Sequence, residues 1–167
     1  WWKNVVENKK LWCSEQDPSQ VVLVNTDASL THIGGVNSHN SSYFSSKIPE
    51  KLKNENIALL EMEAFEQGVL GTGITSNTHF IGVIDNATVV GSINRNKSKD
   101  KKVGERVTNL LDNSDGNFYS SCWINTKKNY LPDCLTRNRV AEAKAYALGA
   151  GQPMGKEWSP YNKMVCF

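Results

Sequence analysis

The sequence lacks the features that mark membrane-spanning and secreted proteins. No apolar run approaches the length of a membrane helix, and no signal-peptide pattern opens the chain. The cysteines are widely scattered, without a Cys-x-x-Cys pair or a zinc-ligand spacing; they are Cys13, Cys122, Cys134 and Cys166. A secreted disulfide framework is not expected at this size and cysteine density, so we predict reduced thiols and an intracellular location, in cytoplasm or nucleus.

A strong excess of charge of one sign is also missing. The 167 residues carry a formal net charge of +2, which is too mild to indicate a nucleic-acid partner by itself. Internal repeats and low-complexity segments are absent as well. We expect one domain over 21–148, a lead-in arm over 1–20, and a tail over 149–167 that packs on the domain or forms a junction. Because the chain begins without Met, we expect it to be a piece of a longer polypeptide.

Two predicted strands share one layout, an apolar run that ends in a carboxylate. The first covers 21–27 and ends at Asp27, and the second covers 79–85 and ends at Asp85. Short apolar runs bounded by polar residues are typical of buried central strands. A carboxylate buried at a strand end is costly unless it is neutralised, and oxygen ligands suit Mg²⁺. For Asp27 alone, a turn-capping role is the alternative.

The remaining elements predict a mixed α/β sheet. Further strands are expected at 33–36, 42–45 and 118–124, and helices at 54–70, 86–93, 103–111 and 132–148. Hairpin-length connections favour antiparallel pairing of the first three strands, whereas the strand, helix, strand order that follows implies a right-handed crossover and a parallel pair. Asp27 and Asp85 would then meet at one edge of the sheet, where ligands bind in such folds.

Two further acids of interest lie on predicted helices. Glu61 borders the apolar stripe of the helix over 54–70, whereas Glu63 and Glu66 are expected to point into solvent. Asp133 lies in the first turn of the last helix. Each has a plain alternative, since most helical Glu residues are exposed and an Asp in a first turn is favoured by the helix dipole.

Four local motifs support a family resemblance. They are TDAS at 26–29, EMEA at 61–64, DN with TVV and IN over 85–94, and WINTKKN with LPDCLTR over 123–137. These resemble the TDAS opening of many retroelement ribonuclease H domains, their ELLA-type helix motif, the DN-x-TVV-x-x-IN pattern of DIRS-like elements, and the IPGK-x-N to ADxLSR ending of DIRS-like and gypsy-like elements. Over roughly residues 20–140, the chain resembles the ribonuclease H domain of a retrotransposon reverse transcriptase, DIRS-like or VIPER-like.

The resemblance implies a fold, an activity and a site. The fold would be ribonuclease H-like, with a five-stranded mixed sheet of three antiparallel strands followed by parallel strands, flanked by helices. The activity would be hydrolysis of the RNA strand of an RNA–DNA hybrid during reverse transcription, with two Mg²⁺ ions or Mn²⁺ as a substitute. A covalently linked polymerase domain would be the protein partner. The residues that the resemblance makes catalytic and metal-binding are Asp27, Glu61, Asp85 and Asp133.

Contacts to nucleic acid are expected near these acids and in one basic stretch. Residues 95–102 hold five basic side chains against one acid and lie where some relatives carry a basic protrusion that grips the hybrid. A solvated linker is the alternative for this stretch. The predicted contact residues are Ala28, Ser29, Asn86, Arg95, Lys97, Lys99, Lys101 and Lys102.

One departure and two rival functions accompany the resemblance. Many ribonucleases H carry a His before the last acid, but this chain has Trp123 in that neighbourhood, and its three histidines are distant in sequence. The departure bears on turnover rather than on metal binding. One rival is a catalytically silent scaffold or nucleic-acid-binding domain of a reverse transcriptase or a domesticated retroelement protein. The other is a different nuclease or strand-transfer enzyme of the same fold. The intact set of acids favours the ribonuclease.

Overall fold

A single five-stranded sheet organises the protein. The structure, a computed structural model, describes residues 18–114 and 116–161. The strand order is β3-β2-β1-β4-β5, with β1 at Gln20–Ala28, β2 at His32–Asn37, β3 at Tyr43–Lys47, β4 at Thr78–Ile84 and β5 at Phe118–Trp123. β2 is antiparallel to β1 and β3, whereas β4 is parallel to β1 and β5. The predicted mixed sheet, and with it the ribonuclease H-like fold class, is confirmed.

Helices connect the strands and cover the sheet. Their bounds are α1 Ile57–Leu70, α2 Ala87–Arg95, α3 Lys101–Asp112, α4 Tyr130–Thr136 and α5 Val140–Gly149. The first three begin at side-chain caps, in which Asn56, Asn86 and Asp100 accept hydrogen bonds from backbone N–H groups of the first turn. These caps satisfy donors that a helix start otherwise leaves without a partner.

The core lies on both faces of the sheet. Val22, Val24 and Phe80 pack with Met62 and Phe65 of α1 on one face. On the other face, at the β2–β3 end, Tyr43 packs with Cys134 and Leu135 of α4 and Ala143 of α5. Neighbouring residues of a strand point to opposite faces, so β3 contributes to both layers. This second layer places α4 next to the strand ends.

The predicted single helix over 132–148 is wrong. Instead, α4 ends at Thr136 and α5 begins at Val140. Between them, Asn138 adopts a left-handed conformation with φ 57°, which Asn tolerates better than most residues. The Arg139 N–H donates to the Cys134 carbonyl at 2.8 Å, and the Asn138 N–H donates to that of Leu135 at 3.1 Å. This pair of bonds is a Schellman end, and it folds Arg139 back beside α4.

The prediction that Glu63 and Glu66 are solvated is also wrong. Only 3% of Glu63 is exposed, and Arg106 of α3 pairs with Glu63 at 2.6 Å and with Glu66. α3 packs over a side of α1 that a single apolar stripe does not reveal, and Arg106 supplies the charge that allows these acids to be buried.

The basic stretch over 95–102 is only partly a loop. Arg95 lies in the last turn of α2, and Lys101 and Lys102 lie in the first turn of α3. The change occurs because Asn96, at φ 53°, ends α2 and Asp100 caps α3. Five residues, 96–100, remain outside the helices.

The described part of the tail runs beside β3. The Gly155 N–H donates to Ser41 O at 2.7 Å, and the Trp158 N–H donates to Tyr43 O at 2.7 Å. Trp158 and Tyr161 pack against a core cluster under α1. Most of the predicted lead-in arm, the end of the tail, Cys13 and Cys166 lie outside the described residues, while Cys122 and Cys134 are free thiols. Within the described ranges, no helix combines the length and apolar character needed to cross a membrane.

Candidate metal centre

Asp27 and Asp85 emerge at one edge of the sheet. Asp27 is the penultimate residue of β1 and lies opposite Gly34 of β2. Asp85 directly follows β4, the parallel neighbour of β1. Parallel strands bring their carboxyl ends to the same edge, so the two acids are neighbours despite their distance in sequence. The Thr136 hydroxyl of α4 donates to Asp27 Oδ2 at 2.8 Å.

Glu61 reaches the same edge from α1. Its side chain is 2% exposed, and its Oε1 accepts a hydrogen bond from the Ala28 N–H at 3.2 Å. Glu61 Oε2 is buried and finds no hydrogen-bond donor among the residues that the structure describes. A buried carboxylate oxygen without a donor is costly, and it therefore points to a ligand.

These acids form a compact oxygen cluster. Asp27, Glu61 and Asp85 each offer a carboxylate oxygen within 4.8 Å of the others. Burial raises the pKa of Asp27 to about 6, and the charges of Asp85 and Asp133 add to this. Burial also raises the pKa of Glu61 to about 9, with further contributions from Asp27 and Asp85. A site that resists ionisation by itself but offers three converging oxygens fits a hard divalent cation.

Asp133 lies on the same cavity but outside this cluster. A cavity of about 590 Å³ is lined by the three clustered acids and by Asp133. Arg137 holds Asp133 through Nε at 2.9 Å and Nη2 at 2.8 Å, and Arg139 Nη2 adds a contact at 3.1 Å. The structure thus brings three predicted acids together and keeps the fourth neutralised by two guanidinium groups.

Three predicted nucleic-acid contacts, Ala28, Ser29 and Asn86, line the cavity. Their polar groups already have partners, because the Ala28 N–H donates to Glu61, the Ser29 N–H donates to His32 O, and Asn86 Oδ1 caps α2. A nucleic acid would therefore have to use other groups of these residues, such as the Asn86 side-chain N–H₂.

The five predicted basic contacts lie away from the cavity. Lys102 pairs with Glu55 at 2.6 Å, and Lys101 lies 3.9 Å from Glu105. Arg95 donates from Nε to Gly91 O. Lys97 and Lys99 are exposed on the loop between α2 and α3.

The structure also adds residues that sequence reasoning missed. His32, Thr136 and Arg137 line the cavity, and Arg139 reaches Asp133 from behind it. Thr136 and Arg137 lie inside the LPDCLTR motif, so the motif could have indicated them as site residues. His32 opens β2, and the β1–β2 pairing brings it to the strand edge although it is distant in sequence from Asp133.

Comparisons with known proteins give structural similarity but no match at the level of sequence. No protein-family model matches the chain, and no curated protein sequence does either. Among solved structures, the chain is similar to the N-terminal ribonuclease H domain of Rv2228c from Mycobacterium tuberculosis, solved as a fusion with maltose-binding protein. The two share 15% identity, with a TM-score of 0.49 over 71% of this chain and 97% of that chain. The strand order and pairing of the chain itself carry the assignment of the fold: it is ribonuclease H-like, with a cluster of acids at the sheet edge.

Proposed function

We propose that the domain is a metal-dependent endonuclease that hydrolyses the RNA strand of RNA–DNA hybrids, as part of a retroelement reverse transcriptase. The observation that carries this proposal is the cluster formed by buried Asp27 and Glu61 and half-buried Asp85, in which Glu61 Oε2 has no donor among the described residues. A scaffold would not need two buried acids, Asp27 and Glu61, with a third acid beside them, since burial of uncompensated charge is strongly unfavourable.

Acidic residues of the chain would bind the metal ions, and neighbouring groups orient these acids. Asp27, Glu61 and Asp85 would hold Mg²⁺, and Asp133 would join a second ion once Arg137 releases it. The bound metal supplies Lewis acidity, which activates water and stabilises the departing 3′ oxygen. The Ala28 N–H fixes one oxygen of Glu61, and the Thr136 hydroxyl fixes one oxygen of Asp27. Both acids are thereby oriented, and Oε2 of Glu61 is left for a cation.

The proposed substrate is an extended anion, so cations outside the cavity would hold it. Lys97 and Lys99 are exposed, and we place the hybrid backbone along their loop. The polymerase domain of the reverse transcriptase would be covalently linked to this domain and would deliver the hybrid. The retroelement context rests on the sequence motifs.

A cleavage assay tests the proposal. We would incubate a labelled RNA–DNA hybrid with the domain in Mg²⁺ or in EDTA, beside Asp85→Asn and a matched control, Glu50→Gln, whose carboxylate is 85% exposed. We expect Mg²⁺-dependent cuts in the RNA strand that persist in the control and disappear in Asp85→Asn.

Each other result has a definite meaning. Cleavage that survives Asp85→Asn would refute the site. Equal cutting of a DNA duplex would indicate another nuclease of this fold. Tight binding of the hybrid with no cleavage, in Mg²⁺ and in Mn²⁺, would support the scaffold alternative.

A further inference from the structure

We propose that Arg137 binds a phosphate of the nucleic acid and, until that phosphate arrives, holds Asp133 away from the metal site. This inference rests on the proposed function, because it takes a nucleic-acid strand as the ligand of the cavity. In this proposal Arg137 binds the nucleic acid, and Asp133 can bind a cation only after the nucleic acid has arrived.

The charge of the cavity is the first argument. The lining contains four acidic side chains, Asp27, Glu61, Asp85 and Asp133, and those that are ionised would repel a phosphodiester. Among the described lining residues, Arg137 is the single arginine or lysine. Its side chain is 64% exposed, so an incoming strand can reach it. A planar guanidinium with parallel N–H groups also matches two oxygens of a phosphate.

Competition for the same N–H groups is the second argument. Arg137 uses Nε and Nη2 on Asp133, and these are the groups that would grip a phosphate. A phosphate that captures them leaves Asp133 with Arg139, whose described bond goes to Oδ2 at 3.1 Å. Oδ1 of Asp133 then loses its partners and becomes available to a cation. Substrate binding and completion of the metal site are thereby coupled through one side chain.

Arg139 provides a matched control. It also neutralises Asp133, but it lies outside the cavity lining and divides its bonds between Asp133 and Glu142, at 3.1 and 3.2 Å from the latter. Arg139→Gln therefore removes one positive charge and one guanidinium partner of Asp133, as Arg137→Gln does, without removing a proposed phosphate ligand.

The first measurement is hybrid affinity without metal. We would use fluorescence anisotropy in EDTA with a hybrid whose RNA strand is 2′-O-methylated, so that no cleavage occurs. We expect Arg137→Gln to weaken binding about tenfold. The fall of log affinity with log salt should also become shallower, its slope being smaller in magnitude by about one. Arg137→Lys should keep the salt slope and recover part of the affinity, and Arg139→Gln should stay close to the parent. Equal losses in the two glutamine variants would overturn the inference.

The second measurement is the coupling to metal. Mn²⁺ binding, followed by electron paramagnetic resonance, should become tighter in the parent when the 2′-O-methylated hybrid is added. This gain should shrink in Arg137→Gln, because Asp133 is already released. Absence of the gain in the parent would overturn the inference.

Failure of the inference can be told apart from failure of the proposed function. If the parent cleaves an unmodified hybrid while Arg137→Gln binds as tightly as the parent, the nuclease stands and the role of Arg137 falls. If Arg137→Gln loses affinity but the parent never cleaves, the contact stands and the nuclease falls. Thermal melts of all variants confirm that each comparison is made on folded protein.

Discussion

At the scale of single residues, the Thr136 hydroxyl links α4 to the Asp27 carboxylate. Thr136 is 3% exposed, and its Oγ1 lies 2.8 Å from Asp27 Oδ2. This bond stabilises the ionised form of Asp27 and lowers its pKa, whereas burial raises it. Asp133, the acid that the sequence motif highlights, lies three residues before Thr136, but its carboxylate pairs with Arg137 and Arg139. Thr136 is therefore a positioning residue for the site.

Replacement of Thr136 should reveal this role in the pH profile. Thr136→Val keeps the shape of the side chain but removes the donor, so the pKa of Asp27 should rise further. We expect kcat/KM for hybrid cleavage to fall about tenfold, and the rising limb of its pH profile to move to higher pH. Thr136→Ser keeps the donor, so it should restore both kcat/KM and the position of the rising limb. A Val variant with an unshifted profile would contradict the assignment.

At the scale of elements, a glycine allows α4 to approach β2. A Cβ on Gly34 would lie 2.6 Å from Leu135 Cβ and 3.0 Å from the Thr136 backbone nitrogen. Gly34 also pairs with Asp27 in the β1–β2 ladder. The close contact thus fixes the distance between α4, which carries Thr136 and Asp133, and the sheet edge at which Asp27 lies.

Gly34→Ala should push α4 away from the sheet. We expect it to lower the free energy of unfolding by about 1–3 kcal/mol and to reduce cleavage. The control is Gly149→Ala at the end of α5, where an added Cβ meets nothing within 4 Å. That change should be neutral, or stabilising by up to about 1 kcal/mol. Urea unfolding of both variants measures the difference, and a loss no larger at Gly34 than at Gly149 would count against this packing argument.

The α1–α3 contact also depends on one side chain. Arg106→Gln would leave buried Glu63 and half-buried Glu66 without their cation, so we expect a loss of about 3–5 kcal/mol in unfolding free energy. Lys101→Gln breaks an exposed pair with Glu105 and should cost about 0.5 kcal/mol or less. Chemical denaturation checks both values. If Arg106→Gln cost as little unfolding free energy as Lys101→Gln, the ion pairs of Arg106 would contribute little to the packing of α3 on α1.

At the scale of the whole molecule, proton and metal binding should control stability together. The pKa of Asp27 is raised from 3.8 to about 6, and that of Glu61 from 4.5 to about 9. A raised folded-state pKa contributes stability that is fully present below the unfolded-state value and is lost as pH rises through the folded-state value. Without metal, the free energy of unfolding should therefore decline from about pH 4 to about pH 9, by at most about 1.4 kcal/mol per pH unit for each group.

Melting curves test this linkage. In EDTA, we expect a lower Tm at pH 8 than at pH 5, and added Mg²⁺ should raise the Tm more at pH 8, because a cation replaces the protons on the acids. Glu61→Gln should flatten the pH dependence and weaken the Mg²⁺ effect, whereas Glu50→Gln should follow the parent. A Glu61→Gln curve with the pH dependence of the parent would argue against coupling through this acid.

Some of this architecture could be predicted from residues alone, because the signals are local. The apolar strands that end at Asp27 and Asp85, the helix with Glu61, and the connection lengths determined a mixed sheet with acids at one edge. The caps at Asn56 and Asn86 are likewise local, because each side chain accepts from N–H groups two or three residues further along the chain. These features follow from backbone periodicity and chain connectivity, which act over a few residues.

Tertiary structure decided what depends on contacts between distant elements. It paired buried Glu63 and half-buried Glu66 with Arg106, which the apolar stripe of one helix could not show. It divided the last helix at Asn138 and turned Arg139 toward Asp133. It brought Asp27, Glu61 and Asp85 together and left Asp133 with two arginines. The order of the acids is a property of the sequence, whereas which acids are free to bind a cation depends on the charges that folding places beside them.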